Sequence, residues 1–221
     1  MRQSFFYAAI ITVVLMSSCK KTTEELPLPA LNDYYPLTVG KYITYSLDSI
    51  VYYSNFGVSA TIKSYQVKQV VDAKITDNLG RPAYRIIRYI RSTPTAAWQP
   101  DNTFMAIPAT NSIEFVENNL RFLKLANPIR QDFSWKGNTY INTTSLSSTL
   151  KYLDDWDYTY DSINVAAKVG ALNIDSTIKV SEIDYTDPYN RIFSEEKYAK
   201  GLGLVYRNFL YLNKGSLTGP Y

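Results

Sequence analysis

The chain has 221 residues, 46% of them hydrophobic and 14% aromatic, with a formal net charge of +3, one cysteine and no histidine. That length suits one domain with a tail, and the near-balanced charge excludes the strong basic excess of a nucleic-acid binder. Without histidine there is no Ser-His or Cys-His nucleophile pair and the commonest metal ligand is missing. A single cysteine allows neither an internal disulfide nor a CxxC redox site.

Met1–Lys21 reads MRQSFFYAAIITVVLMSSCKK. Arg2 gives a positive start, and Phe5–Met16 is an apolar run shorter than the roughly 20 residues a membrane-spanning helix needs. Ser17 and Ser18 then lead into Cys19. This is the layout of a secretory signal, and it resembles the signal of bacterial lipoproteins. The resemblance implies cleavage after residue 18 and acylation of the Cys19 thiol by fatty chains such as palmitate. Several acyl chains make such an anchor stable, unlike a single one. Lys20 stands where aspartate commonly signals inner-membrane retention in such proteins, so the resemblance implies the outer membrane, with either the periplasmic or the outer side open.

Cys19–Asp33 mixes charges, threonines, Pro27 and Pro29 without an apolar period, which predicts an extended tether. From Tyr34 to Tyr221 the composition predicts one β-rich domain, because tyrosine, isoleucine, valine and threonine suit a pleated, half-buried surface. Period-two alternation recurs. Ile43, Tyr45, Leu47 and Val51 alternate with Thr44, Ser46 and Asp48. Tyr65, Val67, Val71, Ala73 and Ile75 form a second such row, and Leu172, Ile174, Ile178 and Val180 a third. Asp77-Asn78-Leu79-Gly80 should turn the chain into a strand over Ala83–Arg91, despite the helical spacing of Arg85, Arg88 and Arg91. Asn118-Asn119 between SIEFVE and LRFLKL reads as a hairpin turn. Lys200-Gly201 should turn Ile192–Tyr198 into Leu202–Leu212. The expected fold is all-β: about ten strands in one strongly curved antiparallel sheet, as a half-barrel, barrel or sandwich.

Tyr34–Tyr45 (YYPLTVGKYITY), Tyr198–Arg207 (YAKGLGLVYR) and Ser134–Asn138 (SWKGN) resemble the opening strand, closing strand and a middle element of uncharacterised Bacteroidota outer-membrane lipoproteins. The resemblance implies a curved antiparallel sheet or half-barrel, loosely like lipoprotein-carrier folds.

Chemistry-bearing candidates are few. Asp154, Asp155, Asp157 and Asp161 are the densest carboxylates. On a strand, Asp155, Asp157 and Asp161 would share a face with Thr159, an oxygen-rich row that is a calcium candidate; a solvated strand edge is the alternative. Ser148-x-x-Lys151 and Ser194-x-x-Lys197 fit S-x-x-K but lack its companion motifs. Arg81, Arg85, Arg88 and Arg91 interleave with Tyr84 and Tyr89, suggesting a phosphate- or sulfate-bearing ligand or arginines lying over tyrosine faces. Trp98, Trp135, Trp156 and the abundant tyrosines suit either sheet packing or sugar stacking. Ser49, Ser162 and Ser176 each follow an aspartate in D-[ST]-[AILVMT], which resembles the O-glycosylation sequon of the Bacteroidota envelope. No cofactor or catalytic residue is expected. The sequence predicts a tethered β-domain that binds a glycan, lipid or protein partner. The alternatives are a lipid-carrier module with an apolar cavity and a carboxylate-based hydrolase using the Asp154–Asp161 region.

Overall fold

A computed structural model describes residues 30–54, 58–144 and 148–213. The signal segment, Cys19 and most of the tether lie outside the described residues. A helical turn, α1 (Leu31–Tyr34), opens the fold, and β1 (Tyr42–Ser54), β2 (Val58–Thr76), β3 (Pro82–Arg91), β4 (Gln99–Pro108), β5 (Ser112–Glu117) and β6 (Leu120–Ala126) follow. Next come β7 (Ser134–Lys136), a 3-10 turn (Ser148–Leu153), β8 (Asp157–Val169), β9 (Leu172–Thr186), β10 (Asn190–Ala199) and β11 (Gly203–Asn213).

The all-β expectation holds; the single sheet does not. There are two antiparallel sheets, ordered β1-β2-β3-β4-β5-β6 and β11-β10-β9-β8-β7, and one of them curls strongly into a half-barrel. The division falls after Ala126. Pro128 lacks the N–H a ladder needs, and β7 pairs with β8 instead of β6. One backbone bond, Leu123 N to Gly137 O at 2.8 Å, still ties the two sheets on that side.

The local expectations follow their chemistry. Asn118 and Asn119 take φ of 51° and 62°, the paired positive values of a tight hairpin. Val67 and Val71 are buried, as are Ile174, Ile178 and Val180, whereas Leu172 is exposed where β8 and β9 run out into solvent. Residues 82–91 form a strand, so period two puts Arg85 and Arg91 on one face and Arg88 on the other.

The folded unit begins earlier than Tyr34. Leu31, at the end of the expected tether, is buried with Tyr34 in the main core. The Tyr34 hydroxyl donates to Asn164 Oδ1 at 2.7 Å, and Asp33 O accepts from Gly201 N. The opening and closing motifs therefore meet. Tyr35 packs on Tyr198 with centroids 5.9 Å apart, Tyr45 donates to Leu204 O at 2.8 Å, and Lys41 Nζ donates to Gly201 O. The SWKGN segment works as a staple: Trp135 Nε1 donates to Leu123 O, and Asn138 bonds both Leu153 O and the Tyr158 hydroxyl.

Candidate functional site

The carboxylate row is divided between two lysines. Lys136 Nζ bridges Asp155 (2.7 Å) and Asp157 (2.9 Å), while Lys179 holds Asp161 at 3.0 Å and Glu195 at 3.1 Å. Asp155 lies just before β8 with φ of 57°, and Asp161 is an extra residue where the β8–β9 register slips. A calcium ion needs six or more converging oxygens, and among the described residues no acidic group of three converges in that way. Asp154 is drawn off separately, accepting from Thr143 Oγ1 at 2.5 Å.

Ser49, Ser162 and Ser176 all lie on strands. Ser176 Oγ already donates to Asn164 Oδ1 at 3.1 Å. Ser148 begins the 3-10 turn, and Ser194 is fully buried.

Ser194 belongs to a cluster that sequence reasoning missed. Lys124 Nζ lies 2.7 Å from Glu182 Oε1 and 2.9 Å from Glu196 Oε1, with all three side chains nearly inaccessible to water. Ser194 Oγ donates to Glu182 Oε2 at 2.5 Å, and the Tyr198 hydroxyl donates to Glu196. Two β-bulges aim these groups inward. Ile113 pairs with Leu125 but Glu114 with Leu123, leaving Lys124 as the extra residue. Ser194 pairs with Ile183 but Glu195 with Ser181, leaving Glu182 as the extra residue. A bulge re-aims a side chain that the strand period would send elsewhere. The available signal was Glu196, which shares the inward row of β10 with Ile192 and Tyr198.

The two buried carboxyls shift in opposite directions. Burial and the neighbouring Glu196 charge push Glu182 up. Burial also acts against Glu196, but Lys124, Arg207 and the Tyr198 hydroxyl outweigh it and hold Glu196 below the usual carboxylate range. Their contributions to stability therefore have opposite pH slopes. Glu182 contributes most below its unfolded value near about 4.3 and less as pH rises through its higher folded value. Glu196 contributes fully above that unfolded value and loses the contribution as pH falls through its lower folded one. Denaturant titrations from acid to neutral pH should show the destabilisation by Glu196→Gln growing with pH and that by Glu182→Gln shrinking. Equal slopes would contradict the assignment. Because every described buried side-chain polar atom has a partner, the cluster is a satisfied internal network with no free group facing a substrate.

The four arginines from 81 to 91, one just before β3 and three on it, divide in the same way. Asp77 accepts from Leu79 N, Arg81 N and Arg81 Nε at 2.8–2.9 Å, and the rest of the Arg81 fork holds Glu114 through two 2.8 Å bonds. Arg85 pairs with Asp72 and Arg88 with Asp101. Arg91 has no carboxylate among the described residues. Its Nε donates to Gln66 Oε1 at 2.8 Å, and its guanidinium lies over the Trp98 ring, 4.3 Å from the centroid. Lys68 points to the same outer face of the first sheet. Its Nζ stands 4.8 Å from the Trp98 centroid, 5.3 Å from Tyr89 and 5.9 Å from Tyr42. Register explains the gathering: Lys68 pairs with Tyr89 and Thr44, and Gln66 pairs with Arg91. Trp98 comes from the turn before β4. Tyr42 is 63% exposed. The other two tryptophans are packing residues, Trp156 buried and Trp135 half-buried against the main core.

A cleft lies where the opening and closing motifs meet, lined by Tyr35, Leu37, Ile43, Tyr45, Leu202 and Leu204. Its volume is about 50 Å³, against roughly 300 Å³ or more for a small-molecule site. Comparison with protein-family models, curated proteins and solved structures gives no match.

Proposed function

We propose that this chain is an envelope lipoprotein of the kind its terminal motifs resemble, cut before Cys19, acylated there and held at the outer membrane. Its β-domain recognises a glycan and catalyses nothing. The observation that carries the recognition reading is the outer face of the first sheet, where Tyr42, Tyr89 and Trp98 surround Lys68 and Arg91. Aromatic side chains offer rigid amphipathic contact area at low entropic cost. The interior ionisable groups, by contrast, satisfy one another. The cleft between the terminal motifs is too small to hold a lipid chain, and the lysine-paired carboxylates argue against a two-carboxylate hydrolase.

Two results test this. In a Gram-negative host, Cys19→Ala should leave an uncut precursor or a soluble form; maturation and membrane partitioning like wild type would contradict the anchor. On immobilised glycans, the full chain in detergent should bind in a way that Trp98→Ala weakens, and the recovered glycans should be chemically unchanged. Released products, abolished by Asp157→Asn, would replace this reading with the hydrolase.

A further inference from the structure

We infer that the ligand of this outer face is acidic: a saccharide whose pyranose ring carries a carboxylate. The inference rests on the recognition reading above and adds the chemistry of the ligand.

Charge comes first. Arg81, Arg85 and Arg88 are each neutralised by a neighbouring carboxylate, as is common for arginines on a sheet. Arg91, on the same strand, and Lys68, on its neighbour, have no such partner among the described residues. Both stand over one indole ring, at 4.3 and 4.8 Å from its centroid. Two like charges gathered at one ring repel, and their attraction to its π-system offsets only part of the repulsion. An anion bound by both would remove it. That is charge complementarity without an occupant among the described residues.

Geometry comes second. The contact with the Trp98 ring and the Nε bond to Gln66 hold the guanidinium in place. Both terminal amino groups of Arg91 are left without an acceptor among the described residues. A guanidinium held this way presents a planar fork that matches a carboxylate, and less side-chain ordering is left for the ligand to impose. Lys68 adds three donors with no hydrogen-bond acceptor among the described residues.

The third component is Tyr42. The residue is 63% exposed beside Lys68, and its ring offers a flat apolar surface to the C–H face of a sugar. A bare anion would use the cations and leave this ring idle. A neutral sugar would use the ring and leave both cations uncompensated. A uronate residue uses both.

Calorimetry on the purified full chain in detergent tests this, with a tetragalacturonate, its carboxyl-reduced neutral counterpart and inorganic phosphate as probes. The acidic tetramer should bind with an affinity that falls as salt rises. Arg91→Ala and Lys68→Ala should each weaken it by about tenfold or more, equivalent to about 1.4 kcal/mol, with melting temperatures near wild type. The neutral tetramer and phosphate should bind at least about tenfold more weakly. Equal binding of acidic and neutral tetramers, both lost in Trp98→Ala, would overturn the acidic-ligand inference and leave glycan recognition standing. Phosphate binding as tightly as the tetramer would overturn it in favour of a bare anion site. Tetramer affinity unchanged in both cation variants would overturn it too, and no binding by any probe would overturn it while leaving neutral-glycan recognition to the immobilised panel.

Discussion

Lys124→Ala is expected to destabilise the domain by about 3–5 kcal/mol, the usual cost of breaking a buried ion pair by removing one partner. For a domain of this size that lowers the melting temperature by about 6–20 °C. The cause is what remains. Glu182 and Glu196 are each 1% exposed at the side chain, and without the ammonium they face one another with Arg207, 3.5 Å from Glu196 Oε1, as the nearest compensating charge. Burial alone would lower the Lys124 pKa, but the two carboxylates reverse that and hold it above its ordinary value. The triple variant Lys124→Met, Glu182→Gln, Glu196→Gln separates charge from packing. It should recover most of the loss, since replacing a whole buried ionic group by neutral side chains of similar volume is often close to neutral. If the triple variant melts no higher than Lys124→Ala, the loss came from packing and the electrostatic account is wrong.

Gly137→Ala is expected to cost about 3 kcal/mol, at the upper end for adding one methyl to a packed site. A Cβ there would press against the ring of Tyr158, 2.2–2.4 Å from its Cε1, Cδ1 and Cζ atoms. The ring has nowhere to go. It is fully buried, its hydroxyl bonds Asn138 Oδ1, and Trp135 and Trp156 pack against it at 5.8 and 6.4 Å. Gly137 must therefore yield, and Gly137 O is the acceptor of the backbone bond that ties β6 to the second sheet. Gly40→Ala is the comparison: its Cβ meets nothing within 4 Å, so only its positive φ is strained, at about 1 kcal/mol. Equal melting temperatures for the two variants would contradict this packing account.

The sequence made visible whatever depends on a few adjacent residues. Asn118-Asn119 announced its hairpin because asparagine tolerates positive φ, and Val67, Val71, Ile178 and Val180 announced their buried faces by alternation. The division into two sheets was not legible, because it depends on which strand β7 finds as a partner. Nor was the ionic cluster. LRFLKLA reads as an ordinary strand, and the bulges that turn Lys124 and Glu182 inward break the period on which such a reading depends. The outer face was half visible. The arginine–tyrosine stretch is plain in the sequence, but which arginine escapes neutralisation depends on Asp72, Asp77, Asp101 and Glu114, all brought in from other positions. Trp98 joins Arg91 and Lys68 only because the turn before β4 returns it to the outer face of the sheet.

Backbone amide shifts of the isotope-labelled chain, followed during titration with the acidic tetramer, test the central claim most directly. Recognition at the outer face of the first sheet predicts that the largest changes fall on Tyr42, Lys68, Tyr89, Arg91 and Trp98, including the Trp98 indole N–H. Changes centred instead on the cleft at Tyr35 and Leu204, or on Asp155–Asp161, with Trp98 unmoved, would contradict it.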